Sequence, residues 1–167
     1  RYSNPIANMI SHRGFSHSVF VLAALSLVLT WLIRKWPPAT QYDWKRLFAT
    51  LWLIFITHVL ADAFTSYGTQ LFWPFMPTPT SWSSIFIIDP FFTVPMLIAA
   101  LAGIGWGARP RVQRMNALAL GWCVVYLCLS LAGKTVAESR VRTALEQSGV
   151  GVEAVFSTPG PFNILLW

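Results

Sequence analysis

His58 and Asp62, in the stretch THVLADAF, stand four residues apart, so a helix would carry an imidazole and a carboxylate one above the other on a single face. Imidazole with carboxylate suits zinc and, less selectively, manganese or iron. The same pair also serves as a hydrogen-bonded clasp inside a helical bundle. A second group, SHRGFSHS, holds His12 and His17, whose five-residue spacing does not share a helical face. Gly14 between them permits a tight turn, and Arg13 beside them is a cation able to hold an anionic oxygen. This group reads either as a second wall of ligands or as a cluster that anchors a helix among headgroups. Asp89, in FIIDPFF, has three readings: a ligand, a general base, or the N-cap of a helix that Pro90 begins. His12, His17, His58 and Asp62 together offer three nitrogens and a carboxylate to one divalent ion or two, with Asp89 as a further oxygen. Such an ion, zinc first among them, lowers the pKa of water toward neutrality. Ser16, Ser18, Thr65 and Ser66 flank these residues as outer partners. Other catalytic patterns are missing: no GxSxG elbow, Walker loop, HExxH or CxxC occurs.

The elements that must position these groups are apolar. Of 167 residues, 55% are hydrophobic, 11% are charged and nine are tryptophan, where a soluble domain carries roughly a quarter charged residues. The net charge of +6 does not lie in a stripe interleaved with polar contacts, so no nucleic acid partner is expected. Arg34, Lys35, Lys45 and Arg46 form one cluster and Arg109, Arg111 and Arg114 another, both between apolar runs. Those runs are Val19 to Ile33, extended back through Phe15; Leu47 to Phe64; Ile85 to Trp106, with the helix proper from Pro90 and a kink expected at Pro95; and Met115 to Gly133. The expected fold is therefore all-α: a polytopic membrane bundle of about four transmembrane helices, followed by an amphipathic helix over 134–150. Residues 1–133 form the membrane domain with the metal site, and 151–167 read as the start of a truncated C-terminal soluble part. The two basic connections alternate with an uncharged one, 65–84, as the positive-inside rule requires. That puts His17, His58, Asp62 and Asp89 at the outer leaflet, beside a loop whose Phe72, Trp73, Phe75 and Trp82 suit the headgroup belt. Cys123 and Cys128 are five apart in an apolar run and should not form a bridge.

HRGFSHS, then HVLADAFTSYGTQLFWPF, then FIIDPFFTVP, in that order over roughly residues 10 to 95, resemble the YdjM-like family of bacterial inner-membrane metal-dependent hydrolases. The resemblance implies a membrane-embedded helical domain holding a divalent metal, with His12, His17, His58 and Asp62 as ligands and Asp89 as the acid of the family's IDP motif. A fainter similarity runs to the zinc-dependent phospholipase C and P1 nuclease group, which implies phosphoester hydrolysis by analogy of pattern. Family members also carry an earlier helix with a further His and a PDxD-like motif, which do not occur here. The leading expectation is a hydrolase acting on an ester or phosphoester of a lipid or lipid-linked substrate, with Asp89 and Arg13 in catalytic roles and membrane lipids as partners. The rivals are a transporter-like ion-binding protein and a scaffold that uses the His–Asp set as a clasp. Nothing in the sequence sets the oligomeric state.

Overall fold

The structure is a computed structural model that describes residues 13–37, 39–76, 78–162 and 164–167. The described residues form four α-helices and no strand, so the fold is all-helical: α1 (Val19–Ile33), α2 (Trp44–Phe64), α3 (Pro90–Trp106) and α4 (Pro110–Gln147). They fall into two units, Arg1–Ala63 with Tyr67–Ser81, and Phe64–Ser66 with Trp82–Trp167.

In the first unit a short 3-10 turn, Phe15–His17, precedes α1. The sequence suggests a helix continuous from Phe15, but Ser18 is extended (φ −72°, ψ 130°) and α1 begins after it. A returning loop causes the break. The Ser18 hydroxyl donates to the Trp73 carbonyl (2.7 Å) and the Val19 N–H donates to the Leu71 carbonyl (2.9 Å), so the loop answers a donor that α1 itself leaves open. Along α1, Ser18, Leu22, Ser26 and Thr30 recur every four residues and are all buried. The Ser26 and Thr30 hydroxyls donate to the Leu22 and Ser26 carbonyls of their own helix.

α2 starts three residues earlier than the apolar run does. Asp43 caps it, its Oδ2 accepting the Arg46 N–H at 3.0 Å. Leu22 of α1, Val59 and Ala63 of α2, and Leu71 of the loop form a core, with Val19, Phe55 and Ile56 packed against it. The loop is ordered by Thr69 and Thr80, which exchange two backbone hydrogen bonds of 2.9 Å. Gly68 must be glycine there: its φ is +75°, and a Cβ would sit 2.9 Å from that of Pro79.

In the second unit α3 and α4 form a hairpin in which Ala99, Ala102, Val112, Ala119, Cys123 and Tyr126 are buried. Small residues let helices approach closely where lipid offers no hydrophobic drive. Pro95 lies inside α3 and cannot donate to the carbonyl of Phe91. The Trp122 indole N–H takes that place from α4, 2.8 Å from the Phe91 oxygen. Cys123 and Cys128 are both free, as their spacing requires.

α4 runs through the expected boundary at 133/134, so residues 134–147 continue the fourth helix instead of forming a separate surface helix. No proline lies between Pro110 and the helix end, and Gly133 faces the Trp167 ring, 3.3 Å from where its Cβ would be. The helix stops at Gln147, where Gly149 (φ 74°) allows its own N–H to reach the Glu146 carbonyl and that of Val150 to reach Leu145. Its 38 residues make roughly 57 Å, close to twice a hydrocarbon core. The last third therefore lies beyond any crossing. There Lys134 donates to the Trp82 and Ser157 carbonyls (2.8 and 3.3 Å) and pairs with Glu138 (3.5 Å). Burial alone would raise the Glu138 carboxyl; the N–H and hydroxyl of Ser157, together with Lys134, outweigh it and hold the group below its ordinary range.

α2 and α4 are long and apolar enough to cross a membrane, and only 11% and 22% of their apolar windows are buried in the protein. A core helix of a soluble protein would be mostly covered. α1 and α3, at 15 and 17 residues, are apolar but fall short of the roughly 20 residues that a straight crossing takes.

Candidate metal site

The first unit brings together three of the residues that the sequence singles out as ligands. His58 and Asp62 stand one turn apart near the end of α2, and the 3-10 turn delivers His17 to the same carboxylate. His17 Nε2 is 3.3 Å and His58 Nε2 3.9 Å from Asp62 Oδ2. The two imidazole rings are 5.9 Å apart, and one donor atom from each of the three residues lies within 4.8 Å of the others.

This donor set fits a small divalent ion. Zinc–nitrogen and zinc–oxygen bonds of about 2.0–2.1 Å in tetrahedral geometry place neighbouring donors about 3.3–3.4 Å apart. His17 and Asp62 already have that spacing; His58 is about half an ångström too far from Asp62, and the three donors together spread over as much as 4.8 Å. The His58 side chain is 67% exposed, against 20% for His17 and 19% for Asp62, so the ligand that must move is also the freest. Among the described residues the set is two nitrogens and an oxygen, three of the four donors that a tetrahedral zinc site takes.

The two oxygens of Asp62 divide their roles. Oδ2 faces the imidazoles and Oδ1 faces the Arg13 guanidinium at 3.6 Å. Arg13 also stacks over the Tyr67 ring (5.4 Å), and its carbonyl accepts the Gln70 N–H at 2.9 Å. Neither Tyr67 nor Gln70 carries a spacing signal in the sequence, because both reach the site through the fold of the returning loop. Ser16 Oγ lies 2.9 Å from His17 Nδ1. With Nε2 turned to a cation, the Nδ1–H donates to that hydroxyl, the outer-shell bond that metal-bound imidazoles normally make. The Ser18 hydroxyl is committed to Trp73, and Ser66 lies 2.9 Å from Ser83 within the second unit.

His12 lies outside the described residues. Asp89 belongs to the second unit, where it is 2% exposed and both of its oxygens are engaged. Oδ1 accepts the N–H groups of Phe91 and Phe92 as the cap of α3, and Oδ2 accepts the Tyr126 hydroxyl at 2.7 Å. Of the three sequence readings for this residue, the cap is the one its contacts express. Tyr126, its partner 37 positions away, was not legible in the sequence.

A family profile described as YdjM inner membrane protein matches residues 1–137. Among curated proteins, the uncharacterized protein YfhP of Bacillus subtilis is 28% identical over 138 residues, covering 81% of this chain and 41% of that protein. The inner membrane protein YdjM of Escherichia coli is 35% identical over 72 residues, 43% of this chain and 35% of that protein. The same figures hold for YdjM of Shigella flexneri. The chain thus spans less than half the length of these relatives. No solved structure matches it.

Proposed function

The chain belongs to the YdjM inner membrane protein family, and from that premise we propose that it is a membrane-bound metal-dependent hydrolase whose divalent ion is held by His17, His58 and Asp62. The observation that carries the proposal is the spacing of the three donors, with His17 and Asp62 at 3.3 Å. A bound ion, zinc by the donor chemistry, would supply a Lewis acid and a water acidic enough to ionise near neutrality. Asp62 and the two imidazoles would orient that centre, and Ser16 Oγ, 2.9 Å from His17 Nδ1, would accept the Nδ1–H when Nε2 is turned to the ion. Arg13, kept beside Asp62 by the Tyr67 face, steadies the anionic oxygen of a phosphoester or of a tetrahedral adduct. In this reading the chain is multi-pass with four crossings, and the site faces the outer side. Phe72 and Phe75, both exposed, bring a lipid or lipid-linked ester to it.

A passage for ions would need polar groups continuing along the helices. The buried hydroxyls of Ser26 and Thr30 instead bond to carbonyls of α1 itself, which favours a one-sided site. The test is metal content and hydrolysis of an aryl phosphodiester and an aryl ester by the purified protein, with Asp62→Asn and Arg13→Gln alongside. Stoichiometric metal lost in Asp62→Asn, with turnover lost in both variants, supports the reading. A wild type that takes up no divalent metal overturns it, and metal flux into proteoliposomes without turnover assigns the site to transport.

A further inference from the structure

At the turn between α3 and α4, Trp106, Arg109, Pro110, Arg111, Val112 and Met115 line a half-open cavity of about 650 Å³. Its charge is one-sided. Arg109 and Arg111 line it, Arg114 follows one turn along α4, and no aspartate or glutamate occurs between Asp89 and Glu138. Among the described residues, none of these three guanidiniums has an ion-pair or hydrogen-bond partner. The basic turn between α1 and α2 is different: Lys35 lies 3.4 Å over the Trp31 ring, and Asp43 is close in sequence to Lys45 and Arg46. The cavity walls are otherwise apolar, with Val112 buried and Trp106 and Met115 exposed. Its volume suits a small ligand. Two guanidiniums beside an apolar wall, at the end of two apolar helices, match a molecule with an anionic head and an apolar body.

We propose that this cavity binds the headgroup of an anionic phospholipid. Arg109 and Arg111 take the phosphate, and Trp106, Val112 and Met115 take the glycerol and the first methylenes. A zwitterionic lipid would bring its own ammonium to two unanswered cations, and a free phosphate ion would leave the apolar wall without a partner.

The test is ligand retention by the full chain, purified in detergent and offered phosphatidylglycerol, phosphatidylcholine or inorganic phosphate, read by native mass spectrometry. The wild type should retain phosphatidylglycerol at least about tenfold better than phosphatidylcholine, and inorganic phosphate should not displace it. R109Q/R111Q should weaken phosphatidylglycerol binding roughly thirtyfold, while R34Q/K35Q leaves it nearly unchanged. R109K/R111K, which keeps the charge and loses the bidentate fork, should recover part of the affinity and guards against a folding defect in the glutamine pair. The proposal is overturned if R109Q/R111Q binds like the wild type, if R109K/R111K binds as poorly as R109Q/R111Q, if both lipids are held equally, or if inorganic phosphate competes at equal concentration.

Discussion

Asp62→Asn probes the whole His–Asp cluster with the least change of shape. The carboxylate faces His17 and His58 with one oxygen (3.3 and 3.9 Å) and Arg13 with the other (3.6 Å). Asparagine keeps the outline, removes the charge and offers one oxygen in place of two. Loss of an outer-shell partner costs about 10- to 100-fold in metal affinity, so loss of the charged ligand itself should cost more than about 100-fold. At zinc equal to about 100 times the wild-type Kd, binding stabilises the wild type by about 2.7 kcal/mol. For a chain of this size that is a rise in melting temperature of about 5 to 10 °C. At the same zinc concentration the variant is at or below half saturation, worth about 0.4 kcal/mol or less, and its melting temperature should move by about 1 °C. Without metal the two proteins should differ by only about 1 kcal/mol, since the Arg13–Asp62 pair is partly open to solvent. Chelator-competition titration gives the Kd, and melts with and without zinc give the shift. An equal zinc shift in wild type and Asp62→Asn would refute the assignment.

Ser16→Ala should weaken zinc binding about 10- to 100-fold while leaving the metal-free melt unchanged, because it removes the partner of His17 Nδ1 and nothing from the core. Trp122→Phe should cost about 1 kcal/mol in the native background and close to nothing beside Pro95→Ala, which restores an intrahelical donor to Phe91; a double-mutant cycle reads the difference. Gly68→Ala should cost about 1–2 kcal/mol for its positive φ alone, with the contact at Pro79 added, and should expose the 67–81 loop to limited proteolysis. Glu138 has a lowered carboxyl pKa in the fold, so its contribution is complete above its ordinary value of 4.5 and is lost as pH falls through the lower folded value. The protection factor of the Ser157 amide, its exchange rate referred to the intrinsic rate at each pH, should therefore fall in acid, and Glu138→Gln should abolish that response.

The residues of the candidate site are legible in the sequence where one helix sets their geometry. A four-residue spacing is enough to put His58 under Asp62, and an Asp-Pro pair is enough to start α3 at Pro90. α2 begins before its apolar run because hydropathy marks where a helix becomes apolar, whereas Asp43 marks where its backbone begins to bond. α4 outruns its apolar stretch for the converse reason: the residues after Gly133 turn polar, but nothing in them stops a helix. Contacts such as Tyr67 with Arg13, or Tyr126 with Asp89, depend on how distant segments return to one another, and no local pattern encodes that. Each of the four apolar runs holds a helix, with only α2 and α4 long enough for an unaided crossing.

The stitches between the returning loop and the start of α1 impose an order on biosynthesis. Ser18 is anchored by Trp73, 55 residues later, while Val19 and Arg13 are anchored by Leu71 and Gln70. When the ribosome has made His17, the groups that will fix its position do not yet exist. At 5–20 residues per second they follow roughly 3 to 11 seconds later. Two apolar helices must be made in that interval. The cluster is thus a late product of translation: a nascent chain stopped short of Gln70 carries His17, His58 and Asp62 but lacks the loop that holds the first against the others.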